Sequence, residues 1–204
     1  MSESKDKSTE NTILEAAERI FQTKGMDGAR MQEIADEAGI NKALLHYYFR
    51  SKQLLFEAVF KKAFSMLAPQ LNKILNDDSS IEKKIKNFSL NYITFISEHP
   101  YLPNFIIQEL NKNPDFFSSF KDRADFPKLN KFKNQVQEAI ERGIIRPITA
   151  EQLFINIISL NAFPFIGASL IKGITNIDGP TYDLLIEERK THVADFIIDA
   201  IKTK

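Results

Sequence analysis

From Ile13 the apolar positions Ile13, Ala16, Ala17, Ile20 and Phe21 recur at spacings of three and four, the period of a helix that buries one face. Ser8 or Thr9 can cap this helix, Glu10 suits its positive N-terminal end, and Lys24 followed by Gly25 predicts its stop. A second, shorter pattern places Met31, Ile34, Ala35 and Ala38 on one face and ends at Gly39. Asn41 is a good N-cap for a third short helix, whose inner face carries Leu45, Tyr48 and Phe49. Ser51 then caps a fourth helix, with Leu54, Leu55, Ala58 and Val59 turned inward. The stretch from Met31 to Phe49 therefore reads as helix, short glycine-containing turn, helix.

Longer helical patterns follow. They are punctuated at Asn76 to Ser80, His99 to Pro103, Asn113 and Pro114, Phe126 and Pro127, Gly143 to Pro147, and Gly173 to Pro180. No strand-like alternation of useful length occurs, which predicts an all-α fold of nine or ten helices. The expected organisation is a disordered tail over residues 1–8, a helix-turn-helix domain over 9–50 and a larger helical domain over 51–204. The last two long helices are expected at Thr149 to Lys172 and Thr181 to Lys202. The first of them is apolar nearly all round, with Leu153, Phe154, Ile157, Ile158, Leu160, Phe163 and Ile166, more than one core face requires. Within it Pro164 lacks an amide hydrogen, so a kink or an unmade backbone bond near Leu160 is expected.

Composition narrows the chemistry. The absence of cysteine excludes disulfides, thiolate-bound zinc and a cysteine nucleophile, and is compatible with a reducing cytoplasm, the expected location. Lys plus Arg (27) equals Asp plus Glu (27), so any nucleic-acid surface must be local. Met1 to Ser8 has no apolar core of a secretory signal. The apolar run from Leu153 to Ile171 is interrupted by Asn156, Ser159, Asn161, Pro164, Gly167 and Ser169. A membrane span needs roughly 20 mostly apolar residues, so this run reads as a buried helix. With no glycine-rich phosphate loop, metal-spaced histidine set or nucleophile elbow, the chain does not read as an enzyme, and no cofactor or metal is expected. His46 lacks a second histidine at ligand spacing, and His99 and His192 read as structural.

The third helix carries the most informative chemistry. If Leu45 defines its buried direction, steps of ~100° per residue put Ala43, His46, Tyr47 and Arg50 on the opposite side. Between Asn41 and Lys62 the charges are Lys42, Arg50, Lys52, Lys61 and Lys62 against Glu57 alone, a locally positive surface. Lys52 falls in the first turn of the fourth helix, where a cation is unfavourable by about 0.3–1 kcal/mol against the helix dipole. A DNA phosphate at that helix end would explain it; a solvated lysine without a role is the plainer alternative. Tyr48 reads equally as a phosphate contact or as a core aromatic with its hydroxyl at the surface.

The run from Met31 to Leu55, MQEIADEAGINKALLHYYFRSKQLL, resembles the signature segment of the TetR family of transcription regulators. It matches in the Ile-Ala pair, the Ala-Gly-Ile turn, the Tyr-Phe close and the Ser-Lys-x-x-Leu opening of the fourth helix. The resemblance implies about nine helices, a homodimer formed through the last two helices, and double-stranded DNA with a near-palindromic operator as partner. It also implies a small-molecule effector and, by family habit, repression. Carried over by position, Gln32, Lys42, Ala43 and Leu44 face bases, Tyr47, Tyr48 and Lys52 face bases or phosphates, and Asn41 and His46 complete the DNA-facing set. His46 stands where many relatives have tyrosine, and Leu44 where threonine is frequent. Ala29 and Arg30 replace the Thr or Ser that usually opens the second helix, a lost cap for which Asp27 or Arg30 can compensate.

Beyond the fourth helix the resemblance thins to architecture. Most of the phenylalanines there, at 88, 95, 105, 116, 117, 120, 126, 132, 154, 163, 165 and 196, are expected in the core. Asn91, Gln108, Asn156 and Asn161 are polar residues embedded in apolar runs; with Phe95, Phe105, Phe120 and Phe163 they are the candidate lining of an effector pocket for an apolar or amphipathic ligand. The alternative to a DNA-binding regulator is a helical adaptor that binds partner proteins through its apolar C-terminal helices.

Overall fold

The structure, a computed structural model, describes residues 2–112 and 126–203. Among them are ten helices, α1 (Ser2–Gly28), α2 (Met31–Glu37), α3 (Lys42–Tyr48), α4 (Lys52–Asn76), α5 (Ile81–Glu98), α6 (Leu102–Lys112), α7 (Asn130–Glu141), α8 (Ala150–Ile166), α9 (Ala168–Thr175) and α10 (Gly179–Ile201), and no strand. The all-α expectation holds. The chain divides into two compact units, Met1–Ser65 and Met66–Lys204. The division lies within α4, not before it at residue 50.

In the first unit the core forms where the helical period put it: Ile13, Ala16, Ala17 and Phe21 of α1, Ile34 and Ala35 of α2, and Leu45 of α3 are all buried. From α4 come Leu55, Phe56, Val59 and Phe60, with the Phe56 ring edge-on to Phe21 at 5.0 Å. Leu54, expected to face inward, is 50% exposed, because the buried stripe is centred one step further along the helix. The predicted stop of α1 is where its backbone leaves helical geometry, at Gly25 with φ 65°. Its start differs: α1 begins at Ser2, so residues 2–8, read as a disordered tail, are helical. Nothing in that stretch breaks a helix, and its Asp6 carboxylate accepts the Tyr48 hydroxyl at 2.5 Å.

In the second unit, α5 packs Ile81, Ile85, Phe88, Tyr92, Ile93 and Ile96 into the core together with Phe132 and Val136 of α7, Leu153 and Ile157 of α8, and Val193, Ala194, Ile197 and Ile198 of α10. Lys84, on the same stripe of α5, is fully buried. Its ammonium donates to the carbonyls of Ile74 (2.9 Å) and Asp77 (2.8 Å) and to the Asp77 carboxylate (2.6 Å), so all three of its hydrogens are used. It thereby closes the C-terminal end of α4, where unpaired carbonyls gather.

The expected single helix from Thr149 to Lys172 is two helices. α8 and α9 meet at Gly167 with a bend of 73°. Pro164 withholds the amide that would bond Leu160, and the freed Leu160 carbonyl accepts the guanidinium of Arg189 on α10 at 2.6 Å. The Pro164 carbonyl accepts the Tyr182 hydroxyl at 2.5 Å. No single helix among the described residues is long and apolar enough to cross a membrane, although α8 and α9 pass such a test as a bent pair. Phe163, a candidate pocket residue, and Phe196, among the phenylalanines of which most are expected in the core, are 51% and 60% exposed.

Candidate nucleic-acid interface

The turn between α2 and α3 is closed by backbone chemistry. Gly39, at φ 66°, donates to the Asp36 carbonyl (3.1 Å), and the Ile40 amide reaches back to Ala35 (3.0 Å). This pair of bonds is a Schellman motif, and the left-handed conformation it requires is the one that glycine adopts without a steric penalty. Asn41 then caps α3, its Oδ1 accepting the Leu44 amide at 2.8 Å. Ser51 does the same for α4 through the Leu54 amide at 3.2 Å. At the start of α2, Arg30 makes no side-chain cap, but Glu33 accepts the Arg30 backbone amide, the returning half of a capping box. Lys24, 3.1 Å away, and that amide together hold the Glu33 carboxyl below its ordinary pKa.

With Leu45 fully buried, α3 turns Lys42, Ala43, His46, Tyr47 and, just past its end, Arg50 to solvent. Tyr47 is 75% exposed, an unusual position for an aromatic side chain, and its ring stands edge-on to Tyr48 at 5.4 Å. Leu44, at the border of this face, is 36% exposed. Gln32 is exposed on α2, its amide donating to Asp36 at 2.8 Å.

Two residues have internal partners that local sequence did not reveal. The Lys52 ammonium donates to the carbonyls of Ala29 (3.1 Å) and Asp27 (3.4 Å), at the end of α1, which offsets its unfavourable place in the first turn of α4. These two bonds use two of its three hydrogens. The Tyr48 hydroxyl donates to Asp6, and this bond raises its pKa above the ordinary phenol value. Lys62 lies 3.8 Å from Glu18, so the positive surface is concentrated on Lys42, Arg50 and Lys61.

The candidate effector residues do not gather in one place. Asn91, Gln108, Asn156 and Phe163 are exposed, Phe95 is half-buried and Phe105 is in the core. Phe120 lies outside the described residues. Asn161 is fully buried, its amide donating to the Ile157 carbonyl at 2.8 Å while its Oδ1 has no partner among the described residues. Asn91 lines a cavity of about 330 Å³ between α4 and α5, with Gln70, Lys73, Asp77, Lys84 and Asn87, a more polar lining than expected. A second cavity, of about 430 Å³, opens at the α8–α9 bend, with Pro164, Phe165, Ala168 and Ile186 beside Lys172, Asp183 and Glu187. Among the described residues no group of three or more His, Asp or Glu side chains is arranged to hold a metal ion.

Residues 13–59 match the model of the bacterial regulatory proteins of the tetR family. The chain is 25% identical over 143 residues to the HTH-type transcriptional repressor NicS of Pseudomonas putida, a match covering 69% of this chain and 61% of that protein. It is 30% identical over 114 residues to IcaR of Staphylococcus aureus, a negative transcriptional regulator of the biofilm operon icaADBC, covering 56% and 57%. Both matches span less than two thirds of the relative's own length. In fold the chain is similar to a TetR family transcription regulator from Marinobacter aquaeolei, with a TM-score of 0.68 at 17% identity over 99% of this chain and 100% of that one.

Proposed function

Because this chain belongs to the TetR family of bacterial regulatory proteins, we propose that it is a homodimeric, sequence-specific DNA-binding regulator in the cytoplasm, a repressor released from its operator by a small apolar or amphipathic ligand. The observation that carries this reading is the outer face of α3, where Lys42, His46, Tyr47 and Arg50 stand in solvent above a fully buried Leu45. An α-helix fits the major groove, and a small, aromatic and basic face is suited to enter it. The other DNA-facing residues fall into roles by their partners. Asn41 acts by capping α3, Lys42 by reach toward base edges and Lys52 by positioning against phosphate, while Gln32 and Tyr48 are engaged within the unit by Asp36 and Asp6.

A second copy of the chain is the occupant that best suits the C-terminal helices. Ile155 and Phe163 of α8, Leu170 and Ile174 of α9, and Leu184, Leu185 and Phe196 of α10 are all exposed. That much uncovered apolar surface marks an interaction face. A twofold dimer carries two reading heads, so its operator is a near-palindrome with half-sites about one helical turn or more apart. The cavity at the α8–α9 bend suits an amphipathic effector, its volume of about 430 Å³ falling within the usual range for small-molecule sites. A ligand that favours a conformation with the wrong spacing between heads weakens DNA binding, with a coupling of roughly 1–3 kcal/mol.

Fluorescence anisotropy on the chain's own upstream DNA against scrambled DNA, over a salt series, tests the reading. The expected result is selective binding that Tyr47→Ala abolishes and that Lys52→Ala weakens, with a salt slope shallower by about one. A monomer without selective affinity for upstream DNA or a genomic fragment library, even at low salt, would replace the regulator with the protein-binding adaptor.

A further inference from the structure

Resting on the DNA-binding reading, we infer that α3 recognises its half-site through thymine methyl groups, with Ala43 and Leu44 as the specificity-determining contacts, so that A·T pairs lie beneath the first turn of the helix. Side chains read the major groove in two main ways: through hydrogen bonds, strongest when bidentate from Arg, Asn or Gln, or through apolar contact with the C5-methyl of thymine.

The reading head is poor in the first kind of contact. The carboxamides are held against their own helices, Gln32 along α2 through Asp36, Asn41 over the first turn of α3 through the Leu44 amide and Gln53 along α4 through Glu57. None is extended as a two-point reader of adenine. The nearby arginines, Arg30 and Arg50, precede α2 and follow α3, outside both helices. Lys42 offers a point charge without the planar fork that fits guanine.

What α3 does present, at two consecutive exposed or part-exposed positions of its first turn, is Ala43 and Leu44. Leu54, in the first turn of α4, is a further apolar side chain left 50% exposed. These groups are wet in the free protein. Covering them with a thymine methyl removes apolar surface from water on both sides, a gain that cytosine, lacking the methyl, cannot supply.

The test begins by sequencing duplexes selected from a random pool and then replaces each half-site thymine with uracil, which lacks only the methyl. One or two thymines per half-site are expected at which uracil weakens binding about fourfold, the factor carried by one buried methyl group. Leu44→Ala is expected to shrink that difference. Leu44→Gln, which keeps side-chain length, is expected to bind at low salt with the thymine preference lost. Tight selective binding indifferent to uracil at every position would overturn the inference, as would unchanged uracil sensitivity in both folded variants. Absence of any selected sequence is a different result, and it takes down the regulator reading along with this one.

Discussion

The unit Met1–Ser65 and the unit Met66–Lys204 dispose of polar and apolar groups in opposite ways. In the first, the candidate DNA-facing side chains stand in water within about twenty consecutive positions, on a scaffold closed by short-range caps at Asn41 and Ser51 and a left-handed Gly39. In the second, the polar groups with most at stake are inside, Lys84 and Asn161 fully so, and the conspicuous exposed groups are apolar, from Ile155 to Phe196. The first unit can be read along the chain because its determinants are close in sequence. The second is held together by contacts between distant segments and leaves apolar side chains in water.

Substitutions can separate the two regimes. The largest effect is expected from Lys84→Met, which leaves the Ile74 and Asp77 carbonyls and the Asp77 carboxylate without their ammonium. Chemical denaturation should show a loss of about 3 kcal/mol, as for other broken buried pairs. Tyr47→Ala sharpens the contrast from the other side: selective DNA binding is lost while stability changes by less than about 0.5 kcal/mol, as at exposed positions generally. Arg189→Met strands the Leu160 carbonyl and should cost about 1–2 kcal/mol.

Gly39→Ala meets no neighbour within 4 Å, so its effect is backbone strain alone, about 1 kcal/mol, and it weakens DNA binding more than it moves the melting temperature of the second unit. The smallest effect is titration at Asp77. Burial acts to raise its pKa, but bonds from Lys84 and Ser79 outweigh this and hold it below the ordinary value. A depressed folded pKa contributes stability above the unfolded pKa that is lost as pH falls through the folded one. The stability difference between wild type and Asp77→Asn should therefore shrink as the solution is acidified below about pH 4.

The first unit was legible because its determinants are local. The direction of Leu45 placed the whole outer face of α3, and the glycine and the caps fell where the hydrophobic period stopped. Local reading failed where a partner was remote: Asp6 meets Tyr48 across 42 positions, and Lys52 meets the end of α1 across more than twenty. In the second unit Lys84 was overlooked, although a signal existed. Ile81, Lys84, Ile85 and Phe88 share one face at intervals of three and four, so a lysine stands within an apolar stripe. The bend at Gly167 was signalled three residues early by Pro164. The candidate effector residues do not share one surface, because polar interruptions of apolar helices face water at Asn91, Gln108 and Asn156 and the core at Asn161.

The two carbonyls that Pro164 sets apart have a mechanical meaning. Leu160 and Pro164 lie one turn apart on α8, and their donors Arg189 and Tyr182 lie two turns apart on α10, in antiparallel order. Along the axes these separations are about 6 Å and about 10 Å, a mismatch that only the reach of an arginine bridges. Sliding α10 by a turn past α8 would strand both acceptors at once. The two bonds therefore key the pair of helices in one register.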